Sequence, residues 1–122
     1  MKIINSKIHG FLDYVVVVFL LVSPHLFSLP AATSLFTYIL AGVHFVLTVL
    51  TNFELGLFRI VPFEIHGSVE VVVSILLVIA AFVLGVVDNS LARNFYLGVA
   101  LVVFITWLFT DYSSLKDIGS YE

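Results

Sequence analysis

Four apolar stretches of about 20 residues each govern what this chain can fold into. They run from about Ile8 to Phe27, Leu35 to Phe53, Ile65 to Val87 and Leu91 to Phe109. Crossing roughly 30 Å of hydrocarbon takes ~20 residues of helix. In lipid the backbone must satisfy its own hydrogen bonds, and a helix does so within one segment. Val15-Val16-Val17-Val18 and Val71-Val72-Val73 would favour strands in water, but the length of the stretches overrides that propensity. The expected fold is all-α: a polytopic membrane protein with four transmembrane helices in an up-down bundle.

Composition agrees. The 122 residues are 61% hydrophobic and 11% charged, with a mean hydropathy of +1.20, where soluble domains run at about 45–50% and about 25%. A disordered chain and a nucleic-acid binder are excluded, and the composition argues against a soluble enzyme of this size. With no Cys, a disulfide scaffold, thiolate chemistry and Cys-ligated iron–sulfur clusters are excluded as well.

Punctuation divides the stretches. Asn5 and Ser6 can cap the first helix, and Pro24 and Pro30 bracket its far end. Thr33 and Ser34 can cap the second, Pro62 suits the first turn of the third, and Asp88-Asn89-Ser90 can turn the chain and cap the fourth. Short connections imply antiparallel neighbours. Lys2, Lys7, Arg59 and Lys116 then fall on the side of both termini, and Arg93 alone on the other. This positive-inside bias predicts that both termini are cytoplasmic. Lys2 and Lys7 ahead of an apolar run resemble a signal peptide, but Asp13 within the run argues against one.

The chain also repeats itself. At an offset of 57, Ile8-His9-Gly10 overlays Ile65-His66-Gly67, Asp13 overlays Glu70, Val15-Val16 overlays Val72-Val73 and Leu20 overlays Leu77. In the second and fourth stretches Tyr38 and Thr48 match Tyr96 and Thr106 better at 58. One membrane domain over 1–122 is expected, with repeats at about 5–56 and 62–113 and a short cytoplasmic tail at 114–122. An even number of spans per repeat makes the copies parallel, related by a pseudo-twofold axis along the membrane normal.

Two tandem helical hairpins, the first carrying Ser23-Pro24-His25-Leu26-Phe27 at the end of its first helix, resemble the SPW-repeat integral membrane proteins of prokaryotes. That family is named for a Ser-Pro-Trp motif at this place. Here His25 stands where the family has Trp, and the second copy reads Ala80-Ala81-Phe82. The resemblance implies a multi-pass protein of the prokaryotic cytoplasmic (inner) membrane and no established activity.

Function must therefore come from polar residues inside the apolar stretches. His9 and Asp13 stand four apart and share a helix face, as do His66 and Glu70, with Ser74 extending the second stripe. Thr37, Ala41, His44, Thr48 and Thr51 form a seam of small and polar residues at bundle spacing, expected to face inward. Asn94, Gly98, Thr106 and Thr110 look like its weaker counterpart. A carboxylate at the centre of a membrane helix costs about 2.5–3.5 kcal/mol. Asp13 and Glu70 lie short of the centre, and a His one turn away offsets the cost by pairing, by protonation or by a shared cation. The pseudo-twofold would gather His9, Asp13, His66 and Glu70 on the axis, with His44 just beneath.

These five residues resemble in type the carboxylate-plus-His sets of di-metal helical bundles, although those use i,i+3 spacing and these pairs are i,i+4. A divalent ion such as zinc, iron or manganese suits the set. A b-type haem ranks behind it, because His44 aligns with Leu101 and lacks a repeat-related axial partner. Other readings stay open. The His and carboxylate side chains can serve packing alone, in a structural or accessory subunit of a homo-oligomer or larger membrane complex. They can also lie on a proton or ion path, against which the apolar far halves of the first and third helices argue. No motif assigns a reaction; the expected partners are the bilayer and, in the accessory reading, further copies of the chain or a larger membrane complex, with no nucleic acid.

Overall fold

The computed structural model describes residues 2–117. Helix α1 (Ser6–Leu26) starts where Asn5 accepts a hydrogen bond from the Ile8 N–H, as its capping chemistry predicts. Pro24 does not bracket this helix but sits inside its last turn, beside a buried Ser23 whose hydroxyl donates to the Phe19 carbonyl. Helix α2 (Ala31–Leu50) starts earlier than expected, with Pro30 at the N-cap and no side-chain cap of its own. Asp88 takes over that role from a distant turn: its Oδ2 accepts from the N–H and hydroxyl of Thr33 at 2.7 and 2.6 Å. Thr33 is thus a donor to a cap rather than the cap itself.

Helix α3 (Phe63–Val87) follows Pro62, which is its N-cap rather than a first-turn residue. Helix α4 (Ser90–Phe109) is capped by Asn89, which accepts from the Ala92 N–H. A short helix α5 (Ser114–Asp117) follows; the remainder of the expected tail lies outside the described residues. Among the described residues the fold is all-helical apart from two two-residue strands, β1 (Thr51–Asn52) and β2 (Val61–Pro62). The four longer helices are each long and apolar enough to cross a membrane. Most of their Val, Leu, Ile and Phe side chains face outward, as in a protein whose solvent is lipid.

α1 packs along α2, and α3 along α4. The halves then exchange equivalent contacts. β1 pairs with β2 in parallel, Thr51 opposite Val61, and Ile4 forms the corresponding parallel bridge with Thr110. Each half therefore binds its own start to the end of the other. This gathers the starts of α1 and α3 and the ends of α2 and α4 at one end of the molecule.

At the opposite end the core is apolar and closely packed, with Leu77, Ala81, Ala92, Tyr96, Val99 and Ala100 buried together. Tyr96 is fully buried and shares a hydrogen bond with Thr37. The seam on α2 faces inward as expected: Thr37, Ala41, Thr48 and Thr51 are buried and His44 is half-buried. The seam on α4 does not. Asn94 and Gly98 are exposed, and the buried face is Ala92, Tyr96, Val99 and Ala100, so of the four residues expected there only Thr110 is buried. Small apolar residues around Tyr96, not polar ones, make up the inward face of that helix.

Candidate metal centre

His9 and His66 are each fully buried near the start of a helix, and each has a threonine waiting across the halves. His9 Nδ1 lies 2.8 Å from Thr110 Oγ1, and His66 Nδ1 lies 2.7 Å from Thr51 Oγ1. Both threonine hydroxyls already donate to a carbonyl one turn back, Thr106 and Leu47 respectively. Only their lone pairs remain for the imidazoles, so each Nδ1 must carry the hydrogen and donate it. In the neutral imidazole that leaves a lone pair on Nε2. Both Nε2 atoms point to one place, and the two rings stand 5.3 Å apart edge to face.

Asp13 and Glu70, two helical turns into α1 and α3, stand roughly 10 Å in from the helix starts and meet those nitrogens. They are 2% and 5% exposed. His9 Nε2 lies 3.3 Å from Asp13 Oδ1 and 3.0 Å from Glu70 Oε1. His66 Nε2 lies 3.1 Å from Asp13 Oδ2 and 3.5 Å from Glu70 Oε2. The shorter contact of each imidazole is with the carboxylate of the other half, not with the one a turn away on its own helix.

For a protonated imidazole these are ion-pair distances, but the angles are not those of hydrogen bonds. Nε2 of His9 and of His66, and Oδ2 of Asp13, are buried without a hydrogen bond of acceptable geometry, although oxygen or nitrogen is close. The spacing has another meaning. Donor atoms about 2.0–2.1 Å from a tetrahedral ion stand about 3.3–3.4 Å from one another. One ligand atom from each of His9, Asp13, His66 and Glu70 lies within 4.8 Å of all the others. These four buried residues can hold a metal ion.

His44 lies beside this group rather than beneath it. It is six residues from the end of α2, hence roughly 9 Å in, level with the carboxylates. Its Nε2 is 3.6 Å from Asp13 Oδ1 and also lacks a hydrogen bond. The four central groups form one cluster, and His44 flanks it on the Asp13 side.

Compared with protein-family models, with curated proteins and with solved structures, the chain finds no match in any of the three. What the centre can do is therefore read from its own surroundings.

Aromatic rings close it toward the helix starts. Phe63 and Tyr112 pack against His9, and Phe53 packs against His66. Gly10 and Gly67, each next to its histidine, make room for those rings. A Cβ on Gly10 would stand 2.6 Å from the Phe53 ring, and one on Gly67 would stand 2.7 Å from the Tyr112 ring. Tyr112 adds a polar contact that Phe53 lacks, its hydroxyl donating to Glu70 Oε1 at 2.9 Å. Burial, and then the neighbouring Glu70 carboxylate, push the Tyr112 phenol above its usual range, so it stays a donor. On the other side lies an apolar cavity of about 60 Å³ among all four long helices, its lining polar only at His44 and Glu70.

The threonine and aromatic partners were not singled out as site residues by sequence reasoning. The signal was there. Thr51-Asn52-Phe53 and Thr110-Asp111-Tyr112 are the same Thr-x-aromatic pattern at an offset of 59. Two more residues in the second hairpin carry the offset beyond the 57 of the histidines, which hides the match from a single alignment. Glu54 and Asp111 are less central. Glu54 accepts from the Ser6 hydroxyl and Asp111 from Ser113. His25 is exposed at the far end of α1. The carboxylates of Asp13 and Glu70 occupy the space between the His9 and His66 imidazoles, which leaves no room for a macrocycle between them.

Proposed function

We propose that this chain is a four-span, up-down membrane protein built from two SPW-like hairpins, and that it binds divalent metal at His9, Asp13, His66 and Glu70, with His44 as a flanking ligand. The bundle sits in a prokaryotic cytoplasmic membrane with both termini on the cytoplasmic side. Lys2, Lys7 and Arg59 lie at the end where the halves exchange contacts and Arg93 at the other, in keeping with the positive-inside rule. The connection after α2 exposes Leu57, Phe58 and Ile60, as a segment lying along the membrane interface would.

One observation carries the metal reading: both buried imidazoles are held by Thr Oγ1 at Nδ1 and turn an unpartnered Nε2 toward two carboxylates. Metal-ligating histidines are oriented this way, by a partner on the other ring nitrogen. Lone pairs facing carboxylate oxygens repel unless a proton or a metal cation lies between them, and the angles here do not make hydrogen bonds. A mixed imidazole and carboxylate set suits zinc, iron or manganese. An ion path finds little support, because the cavity beyond the cluster is apolar.

The test is the metal content of gently purified protein, with an absorbance scan, for the wild type and for D13N/E70Q. Stoichiometric zinc, iron or manganese that disappears in the variant is expected. Metal-free wild type, together with an intact fold in the variant, would refute the metal reading and leave an accessory subunit of a larger complex.

A further inference from the structure

Each carboxylate of the centre offers a different oxygen to each imidazole. Asp13 turns Oδ1 to His9 and Oδ2 to His66; Glu70 turns Oε1 to His9 and Oε2 to His66. A single shared ion would ask each carboxylate for one oxygen facing both nitrogens. The observed split sorts the donors into two triads. One is His9 Nε2, Asp13 Oδ1 and Glu70 Oε1, with nitrogen–oxygen separations of 3.3 and 3.0 Å. The other is His66 Nε2, Asp13 Oδ2 and Glu70 Oε2, with separations of 3.1 and 3.5 Å. Three of these separations, 3.0–3.3 Å, fall within the edges of octahedral and tetrahedral coordination shells, about 3.0–3.4 Å, and the fourth, 3.5 Å, lies just beyond them.

Resting on the metal reading above, we propose that the centre is dinuclear: two divalent ions, one at His9 and one at His66, with Asp13 and Glu70 bridging them. Bridged ions of this kind stand about 3.5–4 Å apart. The two positions are unequal. His44 Nε2, unpartnered and 3.6 Å from Asp13 Oδ1, stands on the His9 side, and so does the Tyr112 hydroxyl bonded to Glu70 Oε1. The His9 ion thus has His44 as a fourth protein ligand, while the His66 ion has three and keeps open positions. The His9 position fills first.

The experiment is titration of metal-free, detergent-solubilised full-length protein with Mn²⁺, reading stoichiometry by equilibrium binding and coupling by electron paramagnetic resonance. Two equivalents per chain are expected, the second giving a spin-coupled spectrum. H66A is expected to bind one equivalent with an uncoupled six-line spectrum. One equivalent in the wild type, uncoupled at saturation, overturns the dinuclear proposal and leaves metal binding standing. No binding of Mn²⁺, Zn²⁺ or Fe²⁺ by folded wild type overturns both. Because the wild-type stoichiometry and spectrum decide the matter, the outcome does not depend on how well H66A folds.

Discussion

Replacing Thr51 or Thr110 by valine removes the group that orients each imidazole while keeping its shape. Each threonine is fully buried and its oxygen lies 2.7–2.8 Å from a histidine Nδ1. Valine cannot accept, so a buried ring N–H loses its partner at a cost of about 1–3 kcal/mol in the metal-free fold. The imidazole is then free to rotate or to move its hydrogen to Nε2, where it would block the metal. Loss of such an orienting contact typically weakens metal binding 10–100-fold, which is about 1.4–2.7 kcal/mol. The assay is competition with a chelator of known affinity, run beside denaturant unfolding of the metal-free protein. T37V is the control. Thr37 is an equally buried threonine with the same bond to a carbonyl one turn back, but its other partner is Tyr96, at the far end of the bundle. T37V is expected to reduce stability and leave metal affinity unchanged. Affinities of T51V and T110V within twofold of wild type would refute the argument that these threonines aim the imidazoles.

Other substitutions probe the frame. G10A and G67A each drive a methyl group to within 2.6–2.7 Å of an aromatic ring, and overpacking of this kind costs about 1–3 kcal/mol; thermal unfolding should show it, and G67A should also weaken metal binding by displacing Tyr112 from Glu70. D88A removes the acceptor for the Thr33 N–H and hydroxyl and should cost about 0.5–2 kcal/mol, the usual loss for a missing N-cap, measured by denaturant unfolding with metal affinity unchanged. Asp111 is held below its ordinary carboxylate range by the Ser113 hydroxyl, the Ser113 N–H and the nearby Lys2 charge. Its small contribution is therefore complete above the unfolded carboxylate pKa and fades as pH falls through the folded one. D111N should lie slightly below wild type in stability at neutral pH and converge with it in acid, and a constant difference across that range would refute the assignment.

Sequence alone determined the parts that depend on local periodicity. Four helices followed from the length of the apolar stretches, and their observed bounds shift by at most a few residues. Placing His9 with Asp13, and His66 with Glu70, on common faces needed only 3.6 residues per turn, and the overlay of the two copies pointed to their meeting. Tertiary structure decided who pairs with whom. The closest partner of His9 is Glu70 and that of His66 is Asp13, contacts made across the halves. It brought Thr51 and Thr110 to the far nitrogens, set His44 level with the carboxylates and lent Asp88 to cap a helix 55 residues away. Such contacts depend on the depth to which one hairpin slides along the other and on which faces its bulky side chains leave free. No local pattern encodes that depth; the packing of all four helices sets it at once.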